Sequence, residues 1–473
     1  MDRQLLLVID QGTHATRALV FDAEGIVVTA ARQPIALKRL SADRIEQDAQ
    51  EIISSMHHVV GAVLAHQEVR RRGIAQAGLA TQRSSVVAWD KESGAALAPL
   101  LSWQDRRADV WLSQFADRER EIKERTGIPL SPHYGASKLR WLLENVSAVQ
   151  GAQRAGRLAL GPLASYLLFH LLRERPLLTD HANAGRTLLW NIDSGDWDPW
   201  LLALFDVPRE LLPHCRPIID DYGLLQAGDI ALTAVNGDQN AAVYSLGQPE
   251  PGTAMINLGT GAFVLLPTGT KRVPHTRLLS GLAGSDARDR EYTIEGTVNG
   301  AGAALKWAAS TWQIKDINSQ LPGWLDQIQD PPLFLNSIGG LGSPFWQPGP
   351  TPRIVGQGRP AQNAVAVAES ILFLLQLNLE QIAAAGLAVN KIRISGGLAN
   401  LDGLCRRLAD LTGKQLYRPA QTEATARGAA WLAAGRPSHW PEEQPGVTFN
   451  PRPNEGLSER YHRFVAALAS SLS

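Results

Sequence analysis

Leu5 to Asp22 reads LLLVIDQGTHATRALVFD, two apolar runs around the polar segment QGTHAT. The run Leu5 to Ile9 suits a buried strand, and Ala18 to Phe21 suits its partner. Asp10 stands where the first strand ends, so its carboxylate faces whatever space the turn borders. Gly12 lets the backbone bend sharply, and Thr13, His14 and Ala15 can offer N–H groups to an anion. The stretch therefore reads as a β-hairpin whose turn grips phosphate. It reads equally as a plain polar hairpin without a ligand, because Gly and Asp are ordinary turn residues.

Working outward, 473 residues exceed what one hydrophobic core usually supports, so two or three domains are expected. Hydrophobic content of 44% with 19% charged residues is globular, and 46 basic residues balance 46 acidic ones. That balance argues against nucleic acid or an anionic membrane as the main partner. Cys215 and Cys405 are far apart and lack neighbouring ligands at metal spacing, so neither a disulfide scaffold nor a zinc site is expected. A reduced cytosol is the expected home. No charged and apolar leader precedes Leu5, so a secretory signal is not expected. Leu158 to Leu172 reads as the most apolar segment, but it contains Gly161, Pro162 and His170 and falls short of the ~20 residues a span needs.

Along the chain, IVVTAA after Ala23-Glu24-Gly25 supplies a third antiparallel strand, and Ile45 to Arg72 reads as one long amphipathic helix. Ile74 to Ala80 and Val86 to Trp89 read as strands around Thr81-Gln82-Arg83-Ser84-Ser85. A polar cluster with an arginine at a strand end is either a site loop or a surface loop with an ion pair. Trp103, Gln104 and Asp105 combine an apolar face with groups that hydrogen-bond hydroxyls, as a polyhydroxy compound requires. A core tryptophan followed by a solvated charge run is the alternative. Leu232 to Val235 leads into Asn236-Gly237-Asp238-Gln239-Asn240, where Asp238 is placed as a general base or as a helix N-cap. Met255 to Leu266, MINLGTGAFVLL, repeats the strand, turn, strand layout of the opening hairpin. Gly339 to Trp346 reads as a glycine-rich loop and Ala361 to Ala385 as a long helix. Ile392 to Asn400, IRISGGLAN, reads as a strand entering a diglycine turn that lets a ring or phosphate approach bare backbone.

DQGT at Asp10, TQR at Thr81, WQDRR at Trp103, GDQ at Gly237, GTG at Gly259 and SGGLAN at Ser395 occur in this order. With them the chain resembles the FGGY carbohydrate kinases, most closely their glycerol kinase branch, from about residue 5 to about residue 435. The resemblance implies an α/β fold of two actin-like, ribonuclease-H-like ATPase lobes with mixed sheets flanked by helices. We expect an N-terminal lobe over 1–246 for the acceptor and base, and a C-terminal lobe over 247–473 for the nucleotide. A hinge is expected near Leu246 to Gly252. The implied reaction is ATP-dependent, Mg²⁺-dependent phosphorylation of a hydroxyl of a small sugar, ketose or polyol. In that scheme Asp238 is the base, and Asp10 with Asp238 serves the metal. Thr13, His14, Ala15, Arg17, Thr260, Gly261, Gly302, Gly397 and Asn400 line the nucleotide. Arg83, Ser84, Trp103, Gln104, Asp105, His133 and Gln239 line the acceptor. The expected partner is that small molecule, with no nucleic acid or membrane, and a homodimer is left open.

Two departures bear on the acceptor. Where glycerol kinases carry a glutamate after the Gln-Arg pair, this chain has Ser84, and where they carry a tyrosine, it has His133. Loss of the carboxylate is expected to cost roughly 1.5–3 kcal/mol toward glycerol, about 10- to 150-fold. A larger polyol or a ketose is therefore expected, and Trp103-Gln104-Asp105 keeps a pentulose acceptor open. The competing readings are an actin-like ATPase and an inactive sugar-sensing homologue.

Overall fold

The strand Leu5–Gln11 is buried along its whole length, as its apolar run demands, and pairs antiparallel with Ala15–Phe21. In the computed structural model, which describes residues 5–421, 423–442 and 444–472, this hairpin is the centre of a five-stranded sheet. Its order is Ala231–Gly237, Ile74–Thr81, Leu5–Gln11, Ala15–Phe21, Val27–Pro34. The first three of these run parallel and the last two are antiparallel additions. Parallel pairing brings Gln11, Thr81 and Gly237 into register at one edge, so the residues that follow each strand emerge side by side. Ligands bind outside the carboxyl ends of strands in such sheets.

The chain divides into two units. The first comprises Met1–Pro249, Gly281–Tyr292 and Glu423–Glu443, and the second Glu250–Ser280, Thr293–Thr422 and Gln444–Ser473. In the first unit the helix Ala424–Ala433 packs on strands Leu5–Gln11, Ile74–Thr81 and Ala231–Gly237. It approaches closely because Gly428 lies against the Ala241 carbonyl, where a Cβ would come within 1.8 Å.

The expected helix over Ile45 to Arg72 is three elements instead. Ile45–Gln47 is a strand paired with Leu100–Leu101, Ala49–Leu64 is a helix, and Gln67–Arg72 is a second helix. Asp48 makes the break, since its carboxylate accepts from the Gln50 and Glu51 amides at 2.8 and 3.2 Å and so starts the helix.

In the second unit Thr253–Leu258 pairs antiparallel with Ala262–Gly269 and parallel with Lys391–Ser395, repeating the first unit's plan. Arg290–Val298 flanks the hairpin, and Gln415–Arg418 and Val447–Phe449 extend the other side. The helix Pro360–Ala384 crosses this core. It is longer and more continuous than the Leu158 to Leu172 segment that reads as most apolar, which divides into a strand and a helix. By length and composition it could cross a membrane, with mean hydropathy 1.4 over its best window, but 78% of that window is buried in the protein. Glu369, inside this helix and 1% exposed, accepts from Arg407 and Arg460 at 2.8 Å each. Those arginines stand in helices Asp402–Thr412 and Glu455–Leu472, so one carboxylate ties three helices together.

Candidate active site

At the carboxyl edge of the first sheet, Asp10 is 4% exposed and its carboxylate meets the Arg17 guanidinium across the hairpin. The other arm of Arg17 reaches Glu423 at 2.5 Å. Burial pushes the Asp10 carboxyl up to about 6 against the pull of Arg17, and the charges of Asp238 and Glu423 add to the rise. Asp10 and Glu423 thus share the Arg17 guanidinium, and Asp238 is near enough for its charge to reach Asp10. The hairpin turn closes with the Gly12 amide on the Ala15 carbonyl at 3.0 Å, and His14 is exposed.

Gly237 ends the strand Ala231–Gly237 and Asp238 begins the helix Asp238–Ala242. Its Oδ1 accepts from the Gln239 amide at 2.7 Å, but Gly237 is the N-cap and no side chain caps the helix, so the expected N-cap role of Asp238 is not taken up. A third of the side chain reaches solvent, yet burial of the carboxyl raises its pKa, offset in part by Arg83 and Arg186. Arg83 donates to Asn240 at 2.8 Å and to Gln239, and its Nε lies 3.8 Å from Asp238. Gly237 is required here, because a Cβ would come within 2.5 Å of the Arg83 side chain.

Trp103 donates its indole N–H to Thr13 Oγ1 at 3.0 Å and meets the His133 ring edge-on at 5.4 Å between centroids. Burial drives the His133 imidazole well below its ordinary pKa, and Lys138, Arg186, Arg83 and Arg106 add to that. Ser84 is buried at φ +64°, and its hydroxyl has no hydrogen-bond partner among the described residues. The structure thus brings Asp10, Thr13, Arg17, Arg83, Ser84, Trp103, His133, Asp238 and Gln239 onto one edge of the first unit. Gln104 and Asp105 are committed elsewhere. Gln104 accepts from Arg39, and Asp105, fully buried, accepts from the Ile45 amide at 2.7 Å and from Arg107 at 2.8 and 2.9 Å.

Several supporting residues escaped the sequence reading. Gln82 donates to Gln11 at 3.2 Å and Gln47 at 2.9 Å, Gln47 donates to the Thr13 carbonyl at 2.9 Å, and Ser85 links Gln82 to the Trp103 amide. Gln11 and Gln82 sit inside the quoted motifs, which was the available signal. Lys138 and Glu423 had none, being single charged residues at helix starts.

In the second unit the Gly259 to Gly261 turn is closed by the Gly259 amide on the Gly261 carbonyl at 2.9 Å. The helix Gly302–Thr311 starts on it, with the Gly302 amide on the Gly259 carbonyl and the Ala301 and Ala303 amides on the Thr260 carbonyl, all at 3.0–3.1 Å. Side chains are excluded, since a Cβ on Gly302 would meet the Gly259 carbonyl at 2.8 Å and one on Gly261 the Val298 carbonyl at 3.0 Å. Gly396 has φ +94° under Leu258, while the next residue, Gly397, opens onto free space and starts a short turn of helix to Asn400. Backbone bared in this way accepts a flat ring or a phosphate without steric cost.

No cluster of three or more His, Cys, Asp or Glu side chains suited to a metal exists among the described residues. A Mg²⁺ ion that arrives with phosphates and keeps its waters needs only one or two carboxylates. Asp10 fits that use, because its burial disfavours the ionised form and an adjacent cation would restore it.

Known proteins resemble this chain along most of its length. Residues 5–238 match the model of the FGGY family of carbohydrate kinases, N-terminal domain, and residues 254–435 that of its C-terminal domain. A glycerol kinase of Alkalilimnicola ehrlichii is 38% identical over 450 residues, covering 91% of this chain and 90% of that one. A glycerol kinase of Plasmodium falciparum solved with ADP superposes with a TM-score of 0.91 at 22% identity, covering 100% of this chain and 99% of that one. A "xyloylose kinase" from Brucella ovis gives 0.88 at 21% identity, covering 99% of both, so this fold occurs with different acceptors.

Proposed function

The chain belongs to the FGGY family of carbohydrate kinases, and from that premise we propose that it transfers the γ-phosphoryl group of ATP to a hydroxyl of a small sugar or polyol bulkier than glycerol. It is a phosphotransferase acting on an alcohol, and ATP with Mg²⁺ is its phosphoryl donor. The 38% identity to a glycerol kinase favours a glycerol-kinase-like enzyme over a pentulose kinase. The observation that carries the site assignment is Asp238, held at a strand end with its carboxylate 3.8 Å from Arg83 and its proton affinity raised by burial.

In this reading Asp238 accepts the proton of the acceptor hydroxyl as its oxygen bonds the γ-phosphorus and the bond to the β-phosphate oxygen breaks, releasing ADP. Arg83 and Gln239 fix the acceptor beside it, and Trp103 offers an apolar face for the carbon chain. Ser84 and His133 border the far end of the acceptor. Asp10, with Asp238 nearby, would hold a hydrated Mg²⁺ arriving with ATP, which would supply charge neutralisation on the phosphates, and Arg17 keeps the Asp10 carboxylate oriented from its place between Asp10 and Glu423. The turn at Thr13, His14 and Ala15 lies along the phosphates, Thr260, Gly261 and Gly302 supply the corresponding turn of the second unit, and Gly397 and Asn400 border the rest of the nucleotide. Gln104 and Asp105, engaged by Arg39 and Arg107, shape the Trp103 loop without touching the acceptor. Free thiols at Cys215 and Cys405 support a cytosolic setting.

Coupled ADP release against a panel of polyols and sugars tests this reading. Stimulation by at least one of them is expected, and hydrolysis that no hydroxyl compound stimulates would refute it. Asp238→Asn is expected to lower kcat/KM by about 10²- to 10⁴-fold while ATP binding, measured by calorimetry, is unchanged. Full turnover in that variant would remove Asp238 from the role of base.

A further inference from the structure

Lys138 is 1% exposed in the helix Gly135–Asn145, where its buried neighbours in sequence are Ala136, Ser137 and Leu139. Its ammonium donates to the backbone carbonyls of His133 at 2.6 Å and Ser84 at 3.1 Å and makes no ion pair among the described residues. The acid whose charge reaches it is Asp105, which Arg107 and the Ile45 amide already engage. Burial brings the pKa of the ammonium down to about 7, so the charge is held here at a cost. Packing alone does not account for that cost, because an apolar side chain of similar length would fill the space without desolvating a charge. What the ammonium adds is a set of N–H donors that serves two carbonyls from two segments at once.

Both carbonyls belong to loops of the acceptor wall. Ser84 directly follows Arg83 and sits at φ +64°, a left-handed conformation that a residue with a side chain disfavours. Release of Ser84 to an ordinary conformation would redirect the chain beside it, and with it the Arg83 guanidinium, which donates to Gln239 and to Asn240 at 2.8 Å and lies 3.8 Å from Asp238. His133, on the other side, places its ring edge-on to Trp103. The helix that carries Lys138 is itself pinned at its start. The Gly135 and Ala136 amides donate to the Arg186 and Thr187 carbonyls at 3.3 and 2.6 Å, and Gly135 lies so close to Val86 and Thr187 that a Cβ would meet them at 3.2 and 3.3 Å. Lys138 therefore reaches both loops from a fixed base.

We infer that Lys138 is a positioning residue of the acceptor site, which ties the Ser84 carbonyl to that of His133 and so holds the left-handed turn that aims Arg83 at Gln239, Asn240 and Asp238. The inference rests on the kinase reading above and deepens it by naming what sets the direction of the acceptor-binding arginine. Lys138 itself touches neither the acceptor nor the phosphates and acts through Arg83.

The test uses coupled ADP release by the whole enzyme with erythritol, ribitol, sorbitol, ribulose and xylulose, followed with whichever of them gives the highest wild-type kcat/KM. Lys138→Met keeps the length of the side chain and removes its donors. It is expected to lower that kcat/KM by about 10- to 150-fold, the range of hydrogen bonds to a charged group, while ATP affinity measured by calorimetry is unchanged. In an Arg83→Ala background the same substitution is expected to cost no more than about 2-fold, because residues that act as one unit are not additive. Equal losses in the two backgrounds would show that Lys138 supports the fold alone and would overturn the inference. So would a Lys138→Met enzyme with wild-type kcat/KM, and both results leave the kinase reading standing. ADP release that none of the five compounds stimulates would remove the kinase reading and this inference with it. Where Lys138→Met does not fold, Lys138→Gln carries the same comparison and the same expectations, since its amide is one bond short of bridging both carbonyls.

Discussion

His181 is a first-unit residue whose protonation folding opposes. Its ring packs against Trp190, its Nδ1 lies 3.1 Å from Ser285 Oγ, and burial with Arg290 nearby brings its pKa down to about 4, against a weaker upward pull from Asp196. The folded state therefore binds fewer protons than the unfolded chain between pH 6.5 and 4. The stability this provides is fully present above pH 6.5 and is lost as pH falls toward 4. Between pH 7.5 and 5 the loss amounts to about 2 kcal/mol. Asp180 next to it, pushed up to about 6 by burial, acts in the opposite sense, since its contribution is lost as pH rises from 3.8 to 6. A direct comparison isolates His181. Wild type is expected to lose about 2 kcal/mol more than His181→Asn between those two pH values in urea unfolding, and equal losses would show that the ring charges in the folded state. The same residue scale explains what the sequence disclosed of the site. Asp10 and Asp238 were legible because each follows an apolar strand and adjoins a glycine turn, a pattern local in sequence. Lys138, Arg186 and Glu423 were not, because each takes its meaning from a residue far away, Ser84, Asp238 and Arg17 respectively.

Among elements, the helix Pro360–Ala384 shows how a polar residue can organise an apolar one. Glu369 takes both guanidiniums of Arg407 and Arg460, and Arg407 also donates to the carbonyls of Leu325 and Ile328 at 2.7 and 2.6 Å. Removing one partner from a buried charge network leaves the rest uncompensated, which costs about 3–5 kcal/mol. Glu369→Ala is expected to lower second-unit stability by that amount in thermal or denaturant unfolding, and a change within about 0.5 kcal/mol, ordinary for surface positions, would show that the network is solvated. The helix itself was legible from its long Ala/Leu pattern, as were the two hairpins, from apolar runs interrupted by glycine turns. The run from Ile45 to Arg72 departs from the single helix its pattern predicts. Its apolar spacing suits a helix throughout, and only the acceptance of two amides by Asp48 sets where the helix begins, while Ile45–Gln47 is recruited into a sheet by Leu100–Leu101. Strand pairing of that kind depends on a partner more than 50 residues away, beyond any local pattern.

At the scale of the whole molecule, the first unit is assembled from three stretches of chain, and the last packs on the first. Residues Ala426 to Ala433 of the helix Ala424–Ala433 are all buried, and the helix packs on the strand that carries Asp10, the strand that leads into Asp238 and the helix that Asp238 begins. Gly78 makes room for the Ala429 carbonyl and Gly428 for that of Ala241. Arg427 donates to the Ser245 carbonyl at 2.7 Å, Thr425 to that of Asp238 at 3.2 Å, and Glu423 holds Arg17. The proposed base and the partner of the metal-side carboxylate, Arg17, are thus braced by chain that is synthesised 187 and 406 residues later. Nothing in the local sequence announces this return, because Ala-rich helices are common and the glycines that receive this one lie elsewhere. A fragment ending at Pro249 keeps all five strands of the first sheet but leaves one face of it bare and Arg17 without Glu423. Such a fragment is expected to bind a hydrophobic dye and to melt without a cooperative transition, since exposed apolar sheet surface favours loosely packed states. Supplying residues 415–443 as a peptide should restore part of the transition. In the intact chain, Gly428→Val should act in the same direction, as its side chain has no space beside the Ala241 carbonyl, and overpacking of this kind costs about 1–3 kcal/mol or more. Cooperative melting of the isolated fragment would show that the later helix covers a unit already complete, and a Gly428→Val protein as stable as the wild type would show that the two helices separate at no cost.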